Sequence, residues 1–197
     1  PGEFPPLPAL VHHPTNVRMP HHPLIGRDRE RAEVAALLIQ PGKRLVTFTG
    51  PGGTGKTHLA LQVAADVLNH FTHGVFLVPL AAIRDPALVI PTIAATLGVK
   101  EEPGHLVLET LQYALRDRHM LLVLDNFEQV AAAALDVRRL LDTTFRLGIL
   151  ATSRAPLGVY GEHLFPVAPL PVPDVRRLPP LPALAAVPAV TVFAHYA

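Results

Sequence analysis

The sequence predicts an α/β fold: a three-layer α/β/α sandwich with a mostly parallel sheet of five strands. Short apolar segments alternate along the chain with longer segments of helical period, as in successive βαβ units. Apolar residues make up 49% of the 197 residues, and Ala, Val and Leu dominate them, which suits a parallel sheet buried on both faces. Seven of the 22 prolines lie in residues 1–23 and eight in residues 166–188. Because dense proline disfavours helices and central strands, the folded domain is expected between these two segments.

The first half of the domain begins with a helix at residues 28–39, which has an acidic start and apolar residues on one side. A short apolar strand, LVTFT, follows at 45–49. The helix predicted at 56–69 has apolar residues at i, i+3, i+4, i+7 and i+8, counted from Ala60. The segment VFLVPL predicts a second strand at 75–80.

The helix at 86–97 has local start and stop signals. Asp85 can cap its first turn, a proline occupies its first position, and Gly98 can end it. Residues 105–117 also favour a helix. The unbroken apolar segment MLLVLD predicts the third strand at 120–125.

The remaining elements are a helix at 128–141, a fourth strand at 147–152 and a short fifth strand at 163–167. Strands joined by helices imply right-handed crossovers and a parallel sheet. The predicted domain therefore spans residues 24–167, and residues 1–23 are interpreted as a proline-rich interdomain linker.

The composition excludes several classes of function. The chain has no cysteine, which excludes disulfides, thiolate zinc sites and a cysteine nucleophile. We expect no membrane span, since no stretch of 18 residues lacks charged or polar side chains. The net charge of +1 gives no general basic field, so we expect no direct nucleic-acid binding by this domain. The absence of a signal peptide pattern favours a cytoplasmic protein.

A glycine-rich loop joins the first predicted strand to the next helix. It matches GxxxxGK(S/T), the phosphate-binding loop, in the strand–loop–helix context that the pattern requires, which disfavours a chance glycine-rich turn. Glycines let backbone amides turn toward a polyphosphate, and the helix N-terminus adds unpaired N–H groups. Lys56 can reach the β- and γ-phosphates, and the Thr57 hydroxyl can take a position on Mg²⁺. The predicted nucleotide contacts are Gly50, Pro51, Gly52, Gly53, Thr54, Gly55, Lys56, Thr57 and His58.

An acidic residue ends the third predicted strand. Asp125 is therefore expected at the carboxyl edge of the sheet, where α/β sheets bind ligands and where it can hold Mg²⁺. A helix N-cap is the alternative role, and the two roles are compatible. Many strong ATPases place a glutamate after this aspartate to polarise the attacking water, whereas here Asn126 cannot accept a proton. Glu128 is close in sequence but begins a helix, so we expect slow hydrolysis.

A third polar signal follows the fourth predicted strand, which ends in Thr-Ser-Arg. Arg154 could contact the γ-phosphate from this strand end and report whether it is present. The alternative is a surface arginine in a turn before Pro156.

These segments, in this order, resemble the STAND branch of the AAA+ ATPases, which includes the NB-ARC domains. The matching sequences are LIGRDRE from Leu24, TFTGPGGTGKTHLALQVA, RDPALV, LLVLDNFEQV and ILATSRAPLGVYGEHLFPVAPLPVPD. Within this branch, the chain looks like the ATPase modules of bacterial multidomain regulators fused to DNA-binding or adenylate/guanylate cyclase domains. The resemblance covers about residues 24–197.

The resemblance implies features that spacing alone does not supply. It implies the strand order 5-1-4-3-2, adenine contacts from Ile25, Gly26 and Arg27, and a sensor role for Arg154. It also implies a helical lid after the sheet, so residues 168–197 are expected to be a connection and the start of a truncated lid. The implied partners are ATP or ADP with Mg²⁺, covalently linked effector and sensor domains, and further copies in a nucleotide-dependent oligomer.

The function expected from the sequence is therefore an ATP/ADP-binding signalling switch with slow Mg²⁺-dependent hydrolysis. The main alternative is an active AAA+ motor ATPase of the replication-initiator type acting on DNA. A small-molecule kinase and an interaction fragment that no longer binds nucleotide are further alternatives.

Overall fold

The computed structural model describes residues 13–18, 22–100 and 103–196, and within them the chain forms five strands and seven α-helices. The strands are β1 (Leu45–Thr49), β2 (Val75–Pro79), β3 (Met120–Asp125), β4 (Leu147–Thr152) and β5 (Glu162–Pro166). The helices are α1 (Asp28–Leu38), α2 (Lys56–Asp66), α3 (Val89–Leu97), α4 (Val107–Leu115), α5 (Ala134–Thr143), α6 (Leu181–Ala185) and α7 (Pro188–Tyr196).

The five strands form one parallel sheet in the order β2-β3-β4-β1-β5, which confirms the fold class and the strand order predicted from the sequence. In this order β4 lies between β1 and β3, and all the strands end at the same edge. The loop after β1 and the aspartate that ends β3 therefore flank the end of β4. This juxtaposition creates the candidate site.

The core consists of two clusters, one on each face of the sheet. Alternate residues of β3 divide between them: Leu122 and Leu124 pack with α3, α4 and α5, whereas Leu121 and Val123 pack with α1 and α2. All four residues are fully buried. A strand covered by helices on both faces has no polar side, which explains its unbroken apolar sequence.

Two predicted helices begin with a 3₁₀ turn instead of an α-helical turn. One is Pro86–Leu88 before α3, where the Asp85 carboxylate accepts a hydrogen bond from the amide of Ala87 at 2.9 Å, as the capping prediction requires. The other is Phe127–Ala133 before α5, where the backbone of Val130 leaves helical geometry. The prediction of a continuous α-helix from residue 128 is therefore wrong, because the buried Val130 lies in a kink.

Residues 13–18, assigned from the sequence to the linker, pack along the free edge of β2. The amide of Val75 donates to the carbonyl of Pro14 at 3.1 Å. The Asn16 side chain donates to the carbonyl of Leu77 at 2.9 Å and accepts from the amide of the same residue at 2.7 Å. Because β2 is an edge strand, its outward N–H and C=O groups need partners, and this segment supplies them. Residues 1–12 and 19–21 of the predicted linker lie outside the described residues.

The end of the described chain is helical. The short helix α6 and the helix α7 both lie in residues 168–197, the segment that the resemblance assigns to a connection and the start of a lid. Among the residues that the structure describes, no helix is long and apolar enough to cross a bilayer.

Candidate nucleotide-binding site

The glycines of the loop between β1 and α2 adopt backbone conformations that other residues rarely adopt. Gly50, Gly53 and Gly55 have φ angles of 143°, 80° and 85°. A Cβ on Gly50 would lie 2.6 Å from the carbonyl oxygen of Val167, so a larger residue would push the loop away from the end of β5. Left-handed residues within such a loop turn successive N–H groups to one side, which forms a concave site for an anion.

The N-terminus of α2 is left open for a ligand. Its N-cap residue is Gly55, and no side chain among the described residues caps the helix. The first N–H groups of a helix have no partner within the helix, and together with the dipole they favour an anion. Lys56 follows directly, and its ammonium donates to the carbonyls of Gly50 at 2.9 Å and Pro51 at 2.7 Å. The residues therefore fit a polyphosphate in donor chemistry and in backbone geometry.

The carboxylate of Asp125 joins the ends of three elements. Its Oδ1 accepts from the hydroxyl of Thr57 in α2 at 2.7 Å and from that of Thr152 at the end of β4 at 2.6 Å. The Thr152 hydroxyl also accepts from the amide of Asn126 at 2.9 Å. The two residues predicted to hold Mg²⁺ thus lie in direct contact, and both present oxygen, which Mg²⁺ prefers.

The residues after Asp125 are held in a fixed arrangement. Asn126 has a φ of 65°, the only positive φ among the described residues other than glycine. Glu128 forms an ion pair with Arg154, whose Nε lies 3.2 Å from the Glu128 Oε1. A Cβ on Gly52 would lie 3.9 Å from a terminal nitrogen of Arg154, so this guanidinium lies beside the loop. The side chain of Arg154 is 66% exposed and that of Glu128 is 17% exposed.

A cavity of about 300 Å³ lies next to the loop. Its volume is at the lower end of the range for small-molecule sites. The predicted contacts Ile25, Arg27 and His58 line it together with loop residues. Pro23 and Leu24 extend the wall beside Ile25. The rest of the wall comes from the segment after β5 and from α7, with Pro169, Leu170, Ala189 and Val192.

Gly26 sets the distance between α7 and the loop region. Its φ is 68°, and a Cβ at this position would lie 2.6 Å from the Cβ of Pro188. Glycine therefore allows the first residue of α7 to pack directly on the backbone. No local sequence pattern predicts this contact, because it joins residues 162 positions apart.

Arg27 ties the loop to the segment after β5. Its side chain is buried, and it donates to the carbonyl of Thr54 at 3.3 Å and to the carbonyl of Ala168. It also pairs with Glu30 at 2.8 Å. Burial is the largest single influence on the pKa of Glu30 and acts to raise it. The hydrogen bonds from Arg27 and from the Glu30 backbone, together with the charges of Arg27 and Arg29, outweigh it, so the pKa of Glu30 is lowered. The guanidinium of Arg27 thus acts on backbone carbonyls, although the residue also lines the cavity.

All the predicted site residues lie at this edge of the sheet, around the loop, the Asp125 carboxylate and the cavity. Sequence reasoning missed Thr152, although its place before Ser-Arg at the end of a strand was an available signal. It also missed the four cavity residues from the segment after β5 and from α7, for which the sequence has no local signal.

A parallel sheet of this order, with a phosphate-binding loop after β1 and an aspartate at the end of β3, defines a P-loop domain of the AAA type. A family model described as "AAA domain" matches residues 39–155, more than half of the chain. The chain belongs to this AAA domain family.

Two relatives from Mycobacterium tuberculosis illustrate the similarity. An uncharacterized protein is 37% identical over 165 residues, which cover 83% of this chain and 42% of the relative. A putative HTH-type transcriptional regulator is 41% identical over 141 residues, which cover 71% of this chain and 15% of the relative. The chain thus spans less than half the length of these relatives.

Solved structures show the same fold at low sequence identity. Cdc6p from Pyrobaculum aerophilum matches with a TM-score of 0.59 and 22% identity, over 79% of this chain and 47% of that one. The Aeropyrum pernix ORC2 protein matches with a TM-score of 0.55 and 18% identity, over 78% of this chain and 50% of that one.

Proposed function

We propose that residues 24–167 bind ATP and ADP with Mg²⁺ and act as the nucleotide-dependent switch of a cytoplasmic multidomain regulator of the STAND class. The observation that supports this most directly is the contact of Thr57 with Asp125 at 2.7 Å. It brings the hydroxyl of the phosphate-binding loop and the carboxylate of the third strand to one point beside an uncapped helix N-terminus. These are the groups that a Mg²⁺–nucleotide site requires.

Each part of the site has a proposed role. The backbone amides of the loop and of the first turn of α2 hold the phosphates, and Lys56 neutralises their charge. Thr57 and Asp125 hold Mg²⁺, which when bound would offset the negative charge of the phosphate oxygens. The base would occupy the cavity beside Ile25 and α7, where apolar residues exclude water.

Arg154 is the proposed sensor. It is largely exposed and has one ion pair among the described residues, with Glu128, so its guanidinium can exchange this carboxylate for the γ-phosphate. Such an exchange would free Glu128 and change the surface at the start of the segment that leads to α5. The two nucleotide states would then differ in the contacts of this segment.

Hydrolysis is proposed to be slow because neither Asn126 nor Glu128, the residues that follow the Asp125 carboxylate, offers a free base. The Asn126 side chain cannot take a proton, and the Glu128 carboxylate is engaged by Arg154. Slow turnover suits a switch, since it extends the life of the ATP state.

The proposed setting is a longer regulator. The relative named as an HTH-type transcriptional regulator is matched over only 15% of its length, which is consistent with effector and sensor domains attached to a module of this kind. Because α7 lines the cavity proposed for the nucleotide base, we propose that it transmits the nucleotide state to the attached domains. We also propose that the assembled regulator forms a nucleotide-dependent oligomer.

Calorimetric titration with ADP and Mg²⁺ tests the proposal. We expect micromolar binding by the unmutated chain, with the affinity reduced at least tenfold by Lys56→Ala, because a charge-assisted contact to phosphate is worth about 1.5–3 kcal/mol. Lys100→Ala is the matched control, since Lys100 is an exposed lysine that does not line the cavity, and it should bind as the unmutated chain does. No binding by the unmutated chain, or equal binding by both variants, would contradict the proposal.

Steady-state hydrolysis separates the switch from the motor alternative. A switch should turn over below about 1 s⁻¹ and should be insensitive to DNA. Faster turnover that DNA stimulates would identify a motor instead, and transfer of the γ-phosphate to a small acceptor would identify a kinase.

A further inference from the structure

A second cavity lies at the opposite edge of the sheet, where the strands begin. Its volume is about 390 Å³. Lys43 and Arg44 come directly before β1, His119 before β3 and Arg146 before β4, and all four line this cavity. His70, from the loop that follows α2, completes the set of basic residues. Because the strands are parallel, these residues converge at the edge farthest from the nucleotide loop.

The charge around this cavity is unbalanced. Among the described residues that line it there is no Asp or Glu. Arg44 has a structural role, since it donates to the carbonyls of Leu141 and Thr144 at the end of α5. Lys43 and Arg146, by contrast, form no ion pair with any described residue. Two cationic side chains therefore border the cavity without a negative partner in the described structure, and the Lys43 ammonium lies 3.5 Å from the His163 Nδ1.

His119 shows how this environment acts on a titratable group. Its ring lies 5.0 Å from those of His70 and Phe71, measured between centroids, and its Nδ1 is buried without a hydrogen-bond partner among the described residues. Two hydrogen bonds hold its backbone to His73: the His119 amide donates to the His73 ring at 3.0 Å, and the His73 amide donates to the His119 carbonyl at 2.9 Å. Burial lowers the pKa of His119, and the charges of Arg146, His70 and His73 lower it further.

Basic side chains therefore surround this cavity, and no described acidic residue lines it. Because its Nδ1 is buried, Nε2 is the ring nitrogen of His119 that can donate to a ligand. Phe145 adds an aromatic ring that is 70% exposed at the border of the cavity, and Phe71 adds a buried one.

We propose that this cavity binds a phosphate monoester of a small molecule, at a site separate from the nucleotide loop. A phosphate monoester carries close to two negative charges and three strong acceptor oxygens. Lys43, Arg146 and the imidazoles of His119 and His70 approach from four different segments, so they can donate to oxygens that point in different directions. A ring on the ester would gain further contact with Phe145.

The binding should depend on pH. A bound dianion offsets the repulsion between His119 and the cationic groups around it, and it thereby raises the pKa of His119. His119 then takes up a proton on binding, so the affinity for the dianion should increase as the pH falls from about 7.5 to 6.5, which is above the second pKa of the ester at about 6.

Imidazole NMR of the full chain tests the site directly. Phenyl phosphate and inorganic phosphate are titrated into the Lys56→Ala variant, which weakens competition from the loop, and the rings of His70 and His119 are followed. We expect saturable shifts at both rings, with tighter binding of phenyl phosphate, and smaller changes at His58 beside the loop. Arg146→Gln and Lys43→Gln should each weaken binding about tenfold, because each removes a charge-assisted hydrogen bond. Both side chains are exposed, so neither change should affect folding.

Controls separate this site from non-specific binding and from the nucleotide site. Arg116→Gln removes an exposed arginine elsewhere and should bind as tightly as the parent variant. Benzoate, which has one charge and the same ring, should bind at least tenfold more weakly than phenyl phosphate. The proposal is overturned if 10 mM ligand leaves the His70 and His119 signals unchanged, if the glutamine variants bind like the parent, or if benzoate binds equally well. None of these results depends on whether ADP binds.

Discussion

Two hydroxyls donate to the same oxygen of Asp125, and we predict that they have different consequences when removed. Thr152 is 1% exposed and also accepts from the amide of Asn126, whereas Thr57 is exposed. Valine has nearly the shape of threonine, so Thr152→Val and Thr57→Val each remove a hydroxyl with little change in volume.

The expected magnitudes follow from burial. Thr152→Val removes a hydrogen bond to a carboxylate, worth about 1.5–3 kcal/mol, and leaves a partly buried amide without its acceptor, so the free energy of unfolding should fall by about 2–4 kcal/mol. For a chain of this size the midpoint of thermal unfolding should drop by about 5–15 °C. Thr57→Val should change the free energy of unfolding by less than about 0.5 kcal/mol, because water can replace an exposed partner.

Urea denaturation and ADP titration with and without Mg²⁺ would test both halves of the prediction. Thr57→Val should remain stable but lose the gain in nucleotide affinity that Mg²⁺ provides, since the hydroxyl is a proposed metal ligand. Thr152→Val should be destabilised even without nucleotide. Equal loss of stability in the two variants, or no loss in Thr152→Val, would refute the assignment of these roles.

Three further predictions concern stability. Gly74→Ala should lower the free energy of unfolding by about 1–3 kcal/mol, because a Cβ would lie 1.9 Å from the Pro14 carbonyl oxygen and φ is 97°; unchanged hydrogen exchange along β2 would count against it. Thr47→Val should raise the free energy of unfolding by about 1 kcal/mol, since the buried Thr47 hydroxyl has no partner among the described residues. Thr144→Val should lower it by about as much, because the Thr144 hydroxyl donates to the carbonyl of Leu140 at 2.7 Å. Urea midpoints that move in the same direction in the two variants would argue against this. The pKa of His119 is lowered in the folded state, so the folded state binds fewer protons than the unfolded state, in which the pKa of His119 is near 6.5. The contribution of His119 to the free energy of unfolding should be complete above that pH and should be lost as the pH falls through the folded-state pKa. A pH profile of stability that His119→Gln leaves unchanged would contradict this.

Most of the fold could be predicted because its signals are local. The strands are unbroken apolar segments, and the helices between them have the expected period and end at recognisable caps, such as Asp85 and Gly98. The strand order came from the resemblance to known ATPases rather than from the residues. The α-helix predicted from residue 128 was wrong in its first turns, since Val130 is buried in a kink that its local sequence does not indicate.

For the candidate site, too, local sequence patterns predicted some features and not others. Lys56 and Thr57 could be placed beside a phosphate site because the loop pattern is a single continuous segment with one geometry. Asp125 could be placed at the sheet edge because it ends a strand. The packing of residues 13–18 on β2 could not be predicted for a physical reason: the edge of β2 needs hydrogen-bond partners, and which segment supplies them depends on the assembled sheet.

The amino-acid sequence alone determines which functional groups are present: the glycines that allow the loop to turn, the lysine and hydroxyl beside it, and an aspartate at the end of a buried strand. Tertiary structure decides which groups these meet. It places Thr152 on Asp125, Arg154 on Glu128, and α7 against Gly26. Each contact joins residues that are far apart in the chain or lie on different elements, and they meet only because five parallel strands end at one edge.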